Sequence, residues 1–133
     1  ELIQRANEKK DVILLPHIGA STAQAEENCA VMAVNQLTEF LQTGNIVNSV
    51  NFPDVRLNRT TDYRISIINK NVPAMIGQIA TELGELKLNI AEMTNVSKGD
   101  IAYNLIDIEN EVSEESINKL KGIENVIDVR LIG

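Results

Sequence analysis

The sequence has 133 residues, of which 44% are hydrophobic and 23% charged, and its formal net charge is −7. This length suits one small domain with part of another, and an acidic chain without a Lys/Arg-rich run is not expected to bind nucleic acid. One cysteine excludes an intrachain disulfide and a thiolate-rich metal site, so no metal is predicted, and no apolar run approaches the roughly 20 residues of a membrane span.

The first element is a short apolar run, Val-Ile-Leu-Leu, at residues 12–15. Runs of this length are typical of strands buried on both faces, as in an α/β sheet covered by helices. Pro16 ends the predicted strand, and the only histidine, His17, follows it. Gly19 then permits a sharp turn or the close approach of a ligand.

A long helix is predicted over Ala23–Thr43, with Gly44 as its C-terminal cap. Ser21 and Gln24 have the spacing of a capping box at its start. Apolar residues surround much of this helix, so neighbours are expected on more than one side. The first 50 residues cannot supply them, and the chain begins in mid-pattern without methionine, so we expect a fragment of a longer protein. The lone cysteine and the absence of a signal-peptide pattern predict a cytoplasmic location.

Residues 45–62 are polar and Asn-rich, contain proline and show no helical period, which indicates an extended connector with a hinge. We therefore predict three parts. Residues 1–52 form the tail of an α/β region, 53–61 a linker, and 62–133 a separate domain.

The third part shows the order β-α-β-β-α-β. Alternation of apolar residues predicts a strand over 63–68, and Pro73 opens a helix. Strands follow over 88–97 and 101–109, and Ser113 caps a second helix that ends at Gly122. A last strand is predicted over 126–132. The fold class is therefore α+β, a ferredoxin-like βαββαβ sandwich in which two helices cover one face of a four-stranded sheet.

Two candidate sites follow from the residues. The single His17 is either structural or a general acid/base, since an ordinary imidazole exchanges protons near neutral pH. Its carboxylate partner could be Glu1, Glu8 or Asp11, and the spacing favours none of them. The other candidate is the Asn-Lys-Asn-Val-Pro loop at residues 69–73, whose amides either cap a turn or bind the charged ends of a small zwitterion.

The motif VILLPHIGASTAQAEEN at residues 12–28 resembles the C-terminal end of the catalytic region in D-2-hydroxyacid dehydrogenases. The later NSVNFPDV, the Asn-x-Pro loop and LNIAEM resemble members of that family with a C-terminal ACT domain. The resemblance covers essentially the whole chain. It implies oxidation of 3-phospho-D-glycerate with NAD as cofactor, the first step of L-serine biosynthesis.

The resemblance also implies roles for individual residues. His17 would be the catalytic histidine, and Gly19, Ala20 and Ser21 would lie beside the nicotinamide. The family's Gly-rich nucleotide loop and substrate-binding arginine have no counterpart in the sequence, so this chain alone is expected to be inactive.

The ACT domain implies an L-serine sensor with three asparagines, Asn69, Asn71 and Asn89. Serine would lie between two ACT sheets joined edge to edge in a homodimer, or in a tetramer of the full enzyme. Asn69 and Ala74 depart from the family pattern, which often has His and Gly there. Two alternatives remain open: an amino-acid-sensing module that is not part of an enzyme, and an ACT pair that only dimerises.

Overall fold

The computed structural model describes residues 2–8 and 13–133, and it divides into two compact units. One unit ends at Asn35, and the other runs from Gln36 to Gly133. Helix α2 (Ala23–Thr43) contributes to both, and Gly44 follows it with a φ of 74°, as its predicted role as a C-terminal cap requires. The predicted bounds of the long helix are therefore confirmed.

The first unit contains α1 (Leu2–Asn7), an exposed loop and the start of α2. The predicted strand over 12–15 does not form in the described residues, because residues 13–15 are exposed and lie in no strand, while residue 12 lies outside the described part. A strand needs hydrogen-bonding neighbours, and an apolar run cannot supply them. The predicted Ser21 cap is one residue early, since the hydroxyl of Thr22 accepts the backbone N–H of Ala25 at 3.1 Å.

The second unit confirms the predicted ferredoxin-like sandwich. Its elements are β1 (Tyr63–Lys70), α3 (Met75–Glu85), β2 (Ile90–Lys98), β3 (Ile101–Ile108), α4 (Glu114–Lys121) and β4 (Val126–Ile132). The strands form one antiparallel sheet in the order β2-β3-β1-β4, so β2 and β4 are its edges.

The two helices cover one face of this sheet. Ile65 and Ile67 of β1 are completely buried there against Ile79 and Leu83 of α3. Alternation along β1 places every second residue on this face, which explains the pattern in the sequence. Ser113 caps α4 as predicted, since its hydroxyl accepts the backbone N–H of Ser116 at 3.2 Å.

The opposite face is covered by the end of α2 and by residues 44–62. Ile46, Val55 and Leu57 are buried there, and Ile46 and Val55 form an antiparallel bridge. Residues 45–62 form no helix and no named strand, as expected of a connector, but Ile46, Val55 and Leu57 from this segment pack on the sheet in a second core. The hinge stays a prediction. The bounds of the three predicted parts stay predictions.

Candidate functional site

A cavity of about 150 Å³ lies where β1 ends and α3 begins. At about 30 Å³ for each water, it has room for roughly five water molecules, so it suits a small metabolite better than a nucleotide. Three of its lining residues carry amide side chains: Asn69, Asn71 and Asn95. The others are apolar residues or glycine: Val72, Ala74, Met75, Ile76, Gly77 and Ala102.

A row of hydrogen-bonded amides on three neighbouring strands lies at the inner side of the cavity, and its two end members, Asn69 and Asn95, line it. Asn95 Nδ2 donates to Asn104 Oδ1 at 2.6 Å, and Asn104 Nδ2 donates to Asn69 Oδ1 at 2.7 Å. Asn69 and Asn104 are buried, whereas Asn95 is exposed on the edge strand β2. Asn69 Nδ2 donates to the carbonyl of Lys70 at 2.6 Å, so both ends of this predicted site residue already have protein partners.

Sequence reasoning missed Asn95 and Asn104. A signal was present, because Asn104 interrupts an apolar series on its face of β3, with Ala102 before it and Ile106 after it. A buried polar residue in such a series requires a partner, and partners on the same face of neighbouring strands are the natural candidates.

Asn71 forms the outer wall. Its Nδ2 donates to the carbonyl of Gly99 at 3.0 Å, and its backbone N–H donates to the carbonyl of Asp100 at 2.8 Å. These bonds tie the loop after β1 to the β2–β3 turn. The side chain of Asn71 is exposed, so its Oδ1 is accessible to a ligand.

The first turn of α3 closes the cavity. Its N-cap, Ala74, has a φ of 70° and makes no side-chain capping bond. Met75, Ile76 and Gly77 follow it and line the cavity. Backbone N–H groups in the first turn of a helix lack intrahelical acceptors, so an uncapped turn beside a cavity favours an anionic group there.

Asn89 lies at the other end of the sheet. Its neighbour Ile90 pairs with Ile108, whereas Lys98, close to Asn71, pairs with Ile101. The backbone N–H of Asn89 donates to Asn110 Oδ1 at 2.9 Å, and its Nδ2 donates to Glu109. A single chain therefore brings Asn69 and Asn71 together but does not bring Asn89 to them.

The His17 loop belongs to the first unit, whereas the residues that line the cavity belong to the second. His17, Gly19, Ala20 and Ser21 are all exposed, and the backbone N–H of Ser21 donates to the carbonyl of Ile18 at 3.0 Å in a turn.

The expectation that Glu1, Glu8 or Asp11 could partner His17 stays a prediction. Glu1 and Asp11 lie outside the described residues, and Glu8 accepts a hydrogen bond from Gln4 at 3.3 Å. A Cβ added at Gly19 would meet no atom within 4 Å. The described residues around His17 therefore form no cradle that fits NAD.

Residues 2–8 and 13–133 hold no group of three or more His, Cys, Asp or Glu side chains that could bind a metal ion. None of the described helices combines the length and the apolar character needed to cross a membrane.

No family model matches the sequence. Similar solved structures include the ACT domain from GTP pyrophosphokinase of Chlorobium tepidum, at 19% identity and a TM-score of 0.46, covering 52% of this chain and 94% of that one. The regulatory subunit of aspartate kinase from Thermus thermophilus is 12% identical with a TM-score of 0.47, covering 60% of this chain and 55% of that one.

Relatives similar in sequence cover nearly the whole chain. D-3-phosphoglycerate dehydrogenase of Haemophilus influenzae is 32% identical over 99% of this chain and 32% of its own length. The Escherichia coli K12 enzyme is 32% identical over 92% of this chain and 30% of its length, and D-3-phosphoglycerate dehydrogenase 2 of Saccharomyces cerevisiae is 33% identical over 92% and 27%. The chain thus spans about a third of the length of these relatives. Over that third, it is related in sequence to D-3-phosphoglycerate dehydrogenase.

Proposed function

We propose that the chain is the C-terminal regulatory segment of an NAD-dependent D-3-phosphoglycerate dehydrogenase and that its βαββαβ domain binds L-serine. Serine is the end product of the biosynthesis that oxidation of 3-phosphoglycerate to 3-phosphohydroxypyruvate begins, so its binding would provide feedback inhibition. The observation that carries the proposal is the small amide-lined cavity at the uncapped start of α3.

The chemistry of the cavity suits a small amino acid. The N–H groups in the first turn of α3 can donate to a carboxylate, and the field of the helix favours negative charge there. Amide oxygens of Asn71 and Asn95 can accept from an ammonium or a hydroxyl group. Aromatic side chains and a large apolar surface are missing from the cavity lining, which disfavours a bulky ligand.

The sheet register supports a site shared by two chains. The edge strand β2 begins directly after Asn89 and leads to the turn at Gly99, which Asn71 contacts. If two β2 strands pair antiparallel about a two-fold axis, the start of one lies beside the end of the other. Asn89 of one copy then approaches Asn71 of the second copy, so both asparagines can contact one serine. Binding would favour one arrangement of the homodimer and thereby slow the dehydrogenase.

We infer that catalysis is carried out by a longer, cytoplasmic protein that contains this segment together with the remaining two thirds of the relatives' length. His17 would then exchange a proton with the hydroxyl group of the substrate, and Gly19, Ala20 and Ser21 would lie next to the nicotinamide of NAD. The exposed loop of the described chain lacks the surroundings for this chemistry, so the isolated chain is expected to be inactive.

One observation favours the alternative of a dimerisation module that does not bind serine. Asn69 is 1% exposed, its oxygen is bonded to Asn104, and one of its two N–H groups is bonded to the carbonyl of Lys70, so it can offer a ligand only one hydrogen bond. The lack of one hydrogen bond to a charged ligand group weakens binding by about 1.5–3 kcal/mol, or roughly ten- to a hundredfold.

Calorimetric titration with L-serine separates these functions. The chain is titrated at a concentration at which sedimentation shows a dimer, with D-serine as the control ligand. Asn71→Ala and Asn89→Ala are tested in parallel. Binding of L-serine but not of D-serine supports the sensor. Loss of that binding in both variants supports a site to which Asn71 and Asn89 both contribute. No heat up to about 10 mM serine would rule out sensing by this chain, because that limit corresponds to less than about 3 kcal/mol of binding.

A further inference from the structure

We propose that Asn104 is a positioning residue that sets which amide atoms the cavity presents to its ligand; this inference rests on the proposed serine site and deepens it. Asn104 is completely buried in β3 and lies between the cavity residues Asn69 and Asn95. It does not itself line the cavity. Its effect on a ligand must therefore pass through these two neighbours.

Two backbone carbonyls fix the orientation of the amides. Asn104 Nδ2 donates to the carbonyl of Ile67 at 3.2 Å, and a carbonyl can only accept, so the nitrogen of Asn104 must face β1. Asn69 then has to present its oxygen to Asn104. The carbonyl of Lys70 independently requires the nitrogen of Asn69 on its side. Both requirements agree, so neither amide can turn over without losing hydrogen bonds.

The same order continues to the edge of the sheet. Because the nitrogen of Asn104 faces β1, its oxygen faces β2, where it accepts from Asn95 Nδ2 at 2.6 Å. Both protons on the nitrogen of Asn104 are used, one by Ile67 and the other by Asn69. Asn95 is left with an accessible oxygen, and Asn69 with one N–H beyond its bond to Lys70.

The cavity therefore has a donor at Asn69 and an acceptor at Asn95. A ligand that fits it must accept a hydrogen bond at the first position and donate one at the second. A small amino acid has both kinds of group, whereas a dicarboxylate has no donor for Asn95. Asn104 thus selects the chemical class of the ligand from a position that the ligand does not touch.

Two substitutions test this inference by calorimetric titration with L-serine. Asn104→Leu removes the donor at similar volume, and Asn104→Asp keeps the shape but leaves only acceptors, so Asn69 has to turn its nitrogen toward residue 104. Each variant is expected to bind L-serine about two- to tenfold more weakly, the worth of one hydrogen bond. Asn118→Leu, at an exposed residue of α4 that does not line the cavity, is the matched control and should bind like the unmodified chain.

A second readout separates positioning from a purely structural role. In ¹⁵N spectra the side-chain NH₂ signals of Asn69 should shift when L-serine is added to the unmodified chain, and Asn104→Leu should abolish that shift while the backbone spectrum remains that of a folded domain. Thermal midpoints of all variants are recorded alongside. A structural role would change the midpoint and leave the affinity and the Asn69 response unaltered.

The outcomes distinguish the two proposals. If the unmodified chain binds L-serine and both Asn104 variants bind it equally well, the positioning role is overturned and the sensor stands. If the unmodified chain does not bind L-serine, the proposed function fails and this inference fails with it. If Asn104→Asp does not fold, Asn104→Leu and its Asn69 signals still decide the question.

Discussion

Arg64 and Asp107 form a completely buried ion pair between β1 and β3, with Nε–Oδ1 at 2.5 Å and Nη2–Oδ2 at 2.9 Å. Nη1 of Arg64 also donates to the carbonyls of Thr43 and Leu57, at 2.9 and 3.0 Å. The pair therefore joins the end of α2 and the connecting segment to the sheet.

Removing the carboxylate should destabilise the domain strongly. Asp107→Asn leaves a buried guanidinium without its counter-ion, and breaking such a pair costs about 3–5 kcal/mol. Urea unfolding followed by circular dichroism measures this loss. The double variant, Arg64→Met combined with Asp107→Leu, is expected to cost less than Asp107→Asn alone, because it leaves no buried charge behind. An equal or larger loss in the double variant would contradict the role of the unpaired charge.

Acid should weaken the domain through the same carboxylate. Burial by itself raises the pKa of Asp107, but hydrogen bonds from Arg64 and Thr60 outweigh it and hold the pKa below its ordinary value of 3.8. Because the folded pKa is the lower one, this stabilisation is present above the ordinary value and is lost as pH falls through the folded value. The free energy of unfolding, measured by urea between pH 2 and 7, should therefore fall toward acid less steeply in Asp107→Asn than in the unmodified chain. Parallel slopes would contradict the prediction.

Gly44 should tolerate a side chain poorly. Its φ is 74°, and an added Cβ would lie 2.5 Å from Ile132 Cδ1 and 2.7 Å from Leu105 Cδ1. Gly44→Ala combines backbone strain with overpacking and should cost about 2–4 kcal/mol in urea unfolding. Gly84→Ala is the control, because a Cβ there meets nothing within 4 Å. That helical substitution should stabilise the domain by about 0.5–1 kcal/mol.

Ala74→Gly should stabilise the domain. Ala74 has a φ of 70° before α3, a conformation that costs a residue with a Cβ about 1–2 kcal/mol. Glycine relieves that strain but has a more flexible unfolded state, so a net gain of about 0.5–1 kcal/mol is expected in thermal unfolding. Ala91→Gly, in β2 and without a positive φ, should instead destabilise. Equal effects of the two substitutions would contradict the assignment of strain to residue 74.

Periodicity in the sequence predicted the βαββαβ unit well, because apolar residues recur at regular intervals on the sheet face that α3 and α4 cover. Ile65 and Ile67 alternate along β1, and Ser113 with Val112 marks the start of α4 as a cap preceded by a buried apolar residue. Local patterns of this kind are set by neighbours along the chain.

The second core was not predictable in the same way. Ile46, Val55 and Leu57 are separated by polar residues and follow no period, so their burial depends on the sheet that they cover. In the sequence, Arg64 and Asp107 fall where a half-buried strand usually has solvent-exposed residues. Only the tertiary structure shows that they are buried and form an ion pair. Within the candidate site, Asn69 and Asn71 were identified from the predicted loop at residues 69–73, although the structure places Asn69 in β1. Asn104 was not identified, because it lies in a strand of mostly apolar residues.

The packed segment 44–62 also limits how copies of this domain can associate. It covers the helix-free face of the sheet with Val55 and Leu57, and Tyr103 beneath it donates to the carbonyl of Gly44 at 2.7 Å. Face-to-face stacking of two sheets would have to displace this layer and expose the charges of Arg64 and Asp107 to a competing surface. Sheet-on-sheet packing through this face is therefore disfavoured, whereas the edges of the sheet can be extended without disturbing the buried layer.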